Sequence, residues 1–249
     1  ALLSAAAALL SASAACNIID SNGIHVDYAF DPQEFKQSIG DEKVPQTLPT
    51  VACTPGATPD PCVPVMAMIP PNSGTVACDG AKQQCAATFE ISLPQTIDLR
   101  MAMTPLPSEA VQFGINNAEI RRIAYWVSTN TLTVATPALD IYVAPETAKD
   151  EKDPKAVKLG SVASLPAKSR ACADPQNNDD PMAKMGQMVC DIPLTVDGQK
   201  ALADHVKAFK TAPFKIIARA TIKADGGTAV PAGTIDFFVR PTVRLSILK

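Results

Sequence analysis

Apolar and polar residues alternate with period two along much of this chain, the pattern of strands that bury one face. Within 23–30, Ile24, Val26, Tyr28 and Phe30 share a face. Phe89, Ile91 and Leu93 form the next set, and after the interruption at Pro94 come Ile97, Leu99 and Met101. Val111, Phe113 and Ile115 follow, then Ile123, Tyr125 and Val127 before an expected turn at 128–130. Leu132 with Val134, then Leu139, Ile141 and Val143, then Val157 with Leu159, extend the series. The last two runs are the clearest. Phe214, Ile216, Ala218, Ala220 and Ile222 alternate with Lys215, Arg219, Thr221 and Lys223, and only Ile217 breaks the polar side. Ile235, Phe237, Val239, Val243, Leu245 and Ile247 alternate with Asp236, Arg240, Thr242, Arg244 and Ser246. Pro241 lies inside this run and marks an edge, a bulge or a switch between sheets. The linker 224–234 holds Gly226, Gly227, Pro231 and Gly233, and it reads as a long hairpin loop.

One segment departs to helical spacing. Ala201, Leu202, His205, Val206 and Phe209 line one face of a helix over about 197–210, capped by Asp197 and ended before Pro213. It is expected to cap an end or edge of the strands. The segment 41–86 is rich in Pro and Cys, cannot form a central strand, and reads as irregular loops. The charged stretch 148–158 reads as a solvated tip. These elements predict an all-β fold: an immunoglobulin-like or related β-sandwich of about nine strands in one domain, 16–249, with the Pro/Cys insert at about 41–86.

The first fifteen residues are only Ala, Leu and Ser. That run is too short to span a bilayer and matches the apolar part of a secretory signal, so 1–15 is expected to be a signal remnant. A buried Ala-rich helix is the alternative. The run ends at Ser13-Ala14-Ala15-Cys16, which resembles the lipobox of bacterial lipoproteins, although Ser13 stands where a large aliphatic residue is usual. Cleavage after Ala14 or Ala15 by an ordinary signal peptidase is the rival. On this N-terminus alone the chain resembles uncharacterised lipoproteins of Gram-negative bacteria. The resemblance implies lipidation of Cys16 and a membrane anchor, and Asn17 after it is compatible with the outer membrane.

Cysteine parity agrees with this assignment. Of seven Cys, giving Cys16 to the anchor leaves an even set: Cys53, Cys62, Cys78, Cys85, Cys172 and Cys190. An exported chain is expected to oxidise them. Proximity suggests Cys53–Cys62, Cys78–Cys85 and Cys172–Cys190. A zinc site is disfavoured, because C-x-x-C is absent and His25 and His205 are the sole histidines.

Little else carries chemistry. G-x-S-x-G, H-E-x-x-H and both Gly-rich phosphate loops are absent. A net charge of −3 without a basic stripe argues against nucleic acid. Asp174, Asn177, Asp179 and Asp180 could offer oxygen ligands to calcium, but their spacing is not that of an EF-hand, and a polar turn explains them more simply. Exported Met clusters can bind copper(I). Met66, Met68, Met101 and Met103, with Met182, Met185 and Met188, are more simply gap fillers. No cofactor is implied. Trp126 and Phe238 fall on the polar side of their strands and are candidates for surface contact. Three functions remain: a non-enzymatic, lipid-anchored envelope protein with a structural or protein-binding role; a carrier holding an apolar ligand in a cavity; and a secreted hydrolase using His25 or His205.

Overall fold

The structure is a computed structural model that describes residues 18–20, 23–40, 47–69, 74–102, 106–173 and 190–247. Two antiparallel sheets face one another across a common core. The first contains β1 (Ile18–Asp20), β2 (Gly23–Ala29), β3 (Gln33–Ile39), β6 (Ile115–Asn130), β9 (Cys190–Asp191) and β11 (Gly233–Ile247). Its order is β1-β2-β11-β6-β9, with β3 also on β11. The second contains β4 (Thr75–Asp79), β5 (Gln84–Ile97), β7 (Leu139–Pro145), β8 (Val157–Val162) and β10 (Phe214–Asp225), in the order β4-β5-β10-β7-β8. The helices are α1 (Val63–Met66), α2 (Ser108–Phe113) and α3 (Val196–Lys207). The fold is the β-sandwich that the alternation predicts. Its interior is filled by large side chains including Phe30, Phe35, Phe89, Phe214 and Phe237.

β11 organises the first sheet. Alternate residues from Gly233 to Ile247 are buried, and β6 pairs along its whole length. On its other side β3 pairs up to Val239 and β2 pairs from Thr242. Pro241 falls in the seam between those two partners, where its missing N–H breaks no ladder. Its carbonyl accepts from Phe30 N–H at 3.0 Å, and Arg240 Nε donates to Phe30 O at 2.9 Å. Pro94 is accommodated by the same logic. β4 accompanies β5 only as far as Thr88, so among the described residues no ladder partner flanks that side of β5 at Pro94, and the strand runs through it unbroken.

Several expectations are corrected. The linker 226–232 is not a hairpin loop, because β10 and β11 lie in different sheets and the chain crosses between them. Gly227 N–H to Leu48 O (2.7 Å) and Leu48 N–H to Thr228 O (2.9 Å) fix that crossing. Val111 and Phe113 lie in α2, not a strand. Gly114, at φ 92°, ends the helix before β6 begins. β6 continues to Asn130 instead of turning at 128. Residues 131–134 form no strand; Thr131 and Thr133 N–H instead bond Thr234 O and Ala232 O, each at 2.8 Å.

The stretch 148–158 is not a free tip. It folds onto the outer face of the second sheet, where Ala148, Ala144 and Ile217 form a small buried cluster. That cover explains the lone apolar residue on the polar side of β10. Lys215 Nζ donates to Ala148 O at 2.7 Å, and Glu151, with a side chain only 4% exposed, lies 2.9 Å from Arg219 Nε. That contact is off the hydrogen-bond direction and acts as an ion pair. Ser92 Oγ donates to the other Glu151 oxygen at 2.7 Å.

The cap of α3 is Thr195 and not Asp197. Thr195 Oγ1 accepts from Gly198 N–H at 3.0 Å, leaving Asp197 in the first turn, where its charge suits the helix dipole. The helix stops at Lys207, and Pro213 follows a short turn. It packs against β6 and β8, closing the flank where both sheets end.

Candidate functional site

The insert is better ordered than its composition suggests. Its C-terminal part supplies β4, which forms a hairpin with β5 and sets Cys78 directly across from Cys85. Those two nevertheless do not bond each other. The disulfides are Cys53–Cys78, Cys62–Cys85 and Cys172–Cys190. The third matches the proximity expectation, and the first two replace it with an interlocked pair. The reason is local. Cys53 N–H bonds Gln83 O (3.0 Å) and Cys85 N–H bonds Val51 O (2.9 Å), so residues 51–53 lie along the start of β5. Cys53 then reaches Cys78, while Cys62, at the start of α1, reaches Cys85. The sulfurs of Cys53, Cys62 and Cys85 lie within 4.8 Å of one another, all oxidised and buried, so they are a staple and not a metal centre.

This double staple holds a short helix with an apolar exterior. Val65 is buried beneath α1, whereas Val63, Met66 and Met68 are 61%, 46% and 54% exposed. Beside them an open cleft of about 420 Å³ is lined by Thr47, Leu48, Pro49, Ala67, Met68 and Val230. The period-two methionines of the sequence predict packing residues, and the structure instead exposes Met66 and Met68. The pairing of Cys62 with Cys85, which sets the orientation of α1, could not be read from spacing. A second open cleft, about 260 Å³, lies at the end of β5 and includes Phe30, Asp31, Gln33, Thr96 and Asp98. Arg100 bonds Asp98 and holds its carboxyl below the usual range.

Trp126 is not a surface contact residue. It is 4% exposed and stacks on Phe238 with centroids 5.2 Å apart and planes at 8°. Val127 N–H bonds Ala171 O at 2.9 Å and Cys190 pairs with Tyr125, so residue 171 and β9 lie along the edge of β6 at this point. Phe238 remains half-buried. The Cys172–Cys190 bridge thus joins the two segments that line this edge of β6. Cys16 and the calcium candidates Asp174, Asn177, Asp179 and Asp180 lie outside the described residues.

The two histidines stand on different elements. His205, on α3, stacks on Phe214 at 5.5 Å, and burial lowers its pKa, partly offset by Asp204. His25 Nδ1 lies 2.9 Å from Ser246 Oγ, a contact between β2 and β11 that sequence reasoning could not foresee. The neighbouring Asp27 is gripped by Arg244 through bonds of 2.9 and 3.1 Å, which lowers its pKa. The Ser–His contact lies on the flat face of a sheet whose local backbone N–H groups belong to ladders. Tyr28 is pushed up to about 12 by burial, with Asp31 adding to the rise, so its phenol stays neutral.

Fold and staples define a class: a β-sandwich protein with three disulfides, built for an oxidising, extracytoplasmic environment. Among the described residues no helix is long and apolar enough to cross a membrane. Compared with known proteins, the chain matches no family model, no curated protein and no solved structure.

Proposed function

We propose that the chain is a non-enzymatic, lipid-anchored protein of the bacterial cell envelope, at the outer membrane, which presents the stapled insert as a docking surface for another envelope protein. One observation carries this reading. Three apolar side chains are held in solvent, Val63 and Met66 on α1 and Met68 just after it, in a segment stapled by two disulfides and next to an open cleft. A rigid exposed apolar ridge has no folding benefit, and such patches mark contact surfaces. Preformed rigidity lowers the entropy lost on binding. The partner would insert an apolar side chain between Met68 and Val230. A sandwich interior filled by five Phe side chains favours this over the carrier alternative.

Two measurements test it. Intact-mass analysis of the native protein should find acyl chains on Cys16, and Cys16→Ala should move the protein from membrane to soluble fractions. A photo-crosslinker at Met68 should capture a discrete envelope protein, and Met66→Asp should abolish the adduct while leaving thermal stability unchanged. Unmodified Cys16 would refute the anchor, and crosslinking insensitive to Met66→Asp would refute the docking surface.

A further inference from the structure

One flank of the sandwich is covered, and on the other the ladder of the first sheet ends at β3, which also approaches β5 of the second sheet. On the closed flank, the edge of β8 is occupied by the Gly160–Leu194 bridge and by Thr195 N–H bonding Leu159 O at 2.8 Å, with α3 packed beyond. On the opposite flank β3 pairs with β11 from Gln33–Val239 to Ile39–Gly233. Its second side carries no ladder among the described residues. An open edge of this kind is a template for another strand.

The charges on β3 fit a second copy of itself. Glu34 and Lys36 are two residues apart on the outer face, and both are exposed. Neither makes an ion pair among the described residues. Other charges on the same sheet do: Asp27–Arg244, Glu119–Arg121 and Arg122–Asp191. Antiparallel pairing about a two-fold axis at Phe35 sets Glu34 across from Lys36 of the second copy, and Lys36 across from its Glu34. It also sets Gln33 against Gln37 and joins the buried Phe35 positions in one row. Registers centred on Lys36 or on Glu34 fail, and one centred on Gln37 leaves Lys36 opposite Ser38 without a charge pair. An axis at Lys36 opposes Lys36 to itself, and an axis at Glu34 does the same for Glu34. An axis between residues opposes buried to exposed positions and breaks the alternation.

We propose that the protein forms a two-fold dimer by antiparallel pairing of β3 with β3, in the register centred on Phe35. The contact is isologous, as two-fold symmetry requires. It is one strand wide, smaller than the ~1,000 Å² of a stable interface, so the dimer is weak, with a dissociation constant of about 0.1–1 mM.

Analytical ultracentrifugation of the full chain over that concentration range tests it. Glu34→Lys places like charges across both outer pairs and should weaken association about tenfold. Lys36→Glu should do the same. Combining Glu34→Lys with Lys36→Glu restores opposite charges and should recover wild-type association. Unchanged circular dichroism confirms that each variant is folded. Hydrogen exchange should show residues 33–37 slowing as concentration rises. A wild-type protein that stays monomeric, a dimer indifferent to the single substitutions, or a double variant as weak as either single one would overturn the proposal.

Discussion

Removing one of the interlocked bridges tests both the pairing and the energetic role of the insert. The perturbation is Cys53→Ala with Cys78→Ala, Ala being chosen because Cys53 is buried and a hydroxyl there would lack a partner. For an isolated bridge closing a separation of 25 residues, chain entropy predicts about 3.5 kcal/mol. Cys62–Cys85 still crosses the same loop, so the unfolded chain already has a shorter path through that bridge. The effective ring is roughly 17 residues, and the loss becomes about 3 kcal/mol. For a chain of this size that lowers the melting temperature by about 6–12 °C. Equilibrium urea unfolding, followed by tryptophan fluorescence, reads the midpoint and the slope. The slope should rise slightly as the unfolded state expands. Thiol titration of the denatured variant should find no new free thiol, since Cys62 keeps Cys85. A loss under about 1 kcal/mol would refute the entropy argument. Two new thiols would refute the interlocked pairing, because the sequential alternative leaves Cys62 and Cys85 each without a partner.

Two further outcomes follow from close packing at α3. Gly198→Ala, a change that usually stabilises a helix by about 0.5–1 kcal/mol, should here destabilise by about 1–3 kcal/mol. Its Cβ would sit 2.5 Å from Lys158 O and 2.6 Å from Leu159 Cα, both backbone atoms. A gain in urea midpoint would show that α3 does not rest on β8 as described. His205 has a folded pKa below its ordinary 6.5 because burial against Phe214 disfavours the cation. The unfolded chain therefore takes up the proton first, so stability is full above 6.5 and falls as the pH drops through that value. His205→Gln should flatten the profile between about pH 7 and 5. An unchanged slope in the variant, or an imidazole titrating above 6.5 by NMR, would remove this role.

The strands of the core were legible because burial enforces parity. In β10 and β11 every second side chain enters the space between sheets, and polar substitutions there would carry an uncompensated desolvation cost. Sequence alternation is the direct record of that constraint. The exceptions were legible as anomalies but not as answers. Ile217 breaks parity because residues 146–156 cover it, and Trp126 because it stacks on Phe238 across the β6–β11 ladder, and both partners are distant in sequence. The crossing of the chain between β10 and β11 was hidden for a related reason. Two alternating strands joined by a Gly-rich loop look the same whether the loop turns within a sheet or spans the gap of roughly 10 Å between sheets.

The docking ridge was the least legible feature, and the reason lies in the cysteines. Spacing favours bonds between neighbours, because short loops close most easily. Here the hairpin of β4 and β5 forms a platform on which Cys78 and Cys85 stand side by side, and each takes a partner from the Pro-rich segment before it. Bonding across the hairpin would have joined two strands already held by a ladder, adding little order. Bonding outward fixes residues 53–69, which contain only a single turn of helix and bury little apolar surface. The covalent links thus order a segment that composition alone would leave loose, and they do so with Met66 and Met68 turned to solvent. That orientation follows from the connectivity rather than from hydrophobic periodicity, and a reading based on periodicity places both residues in the core.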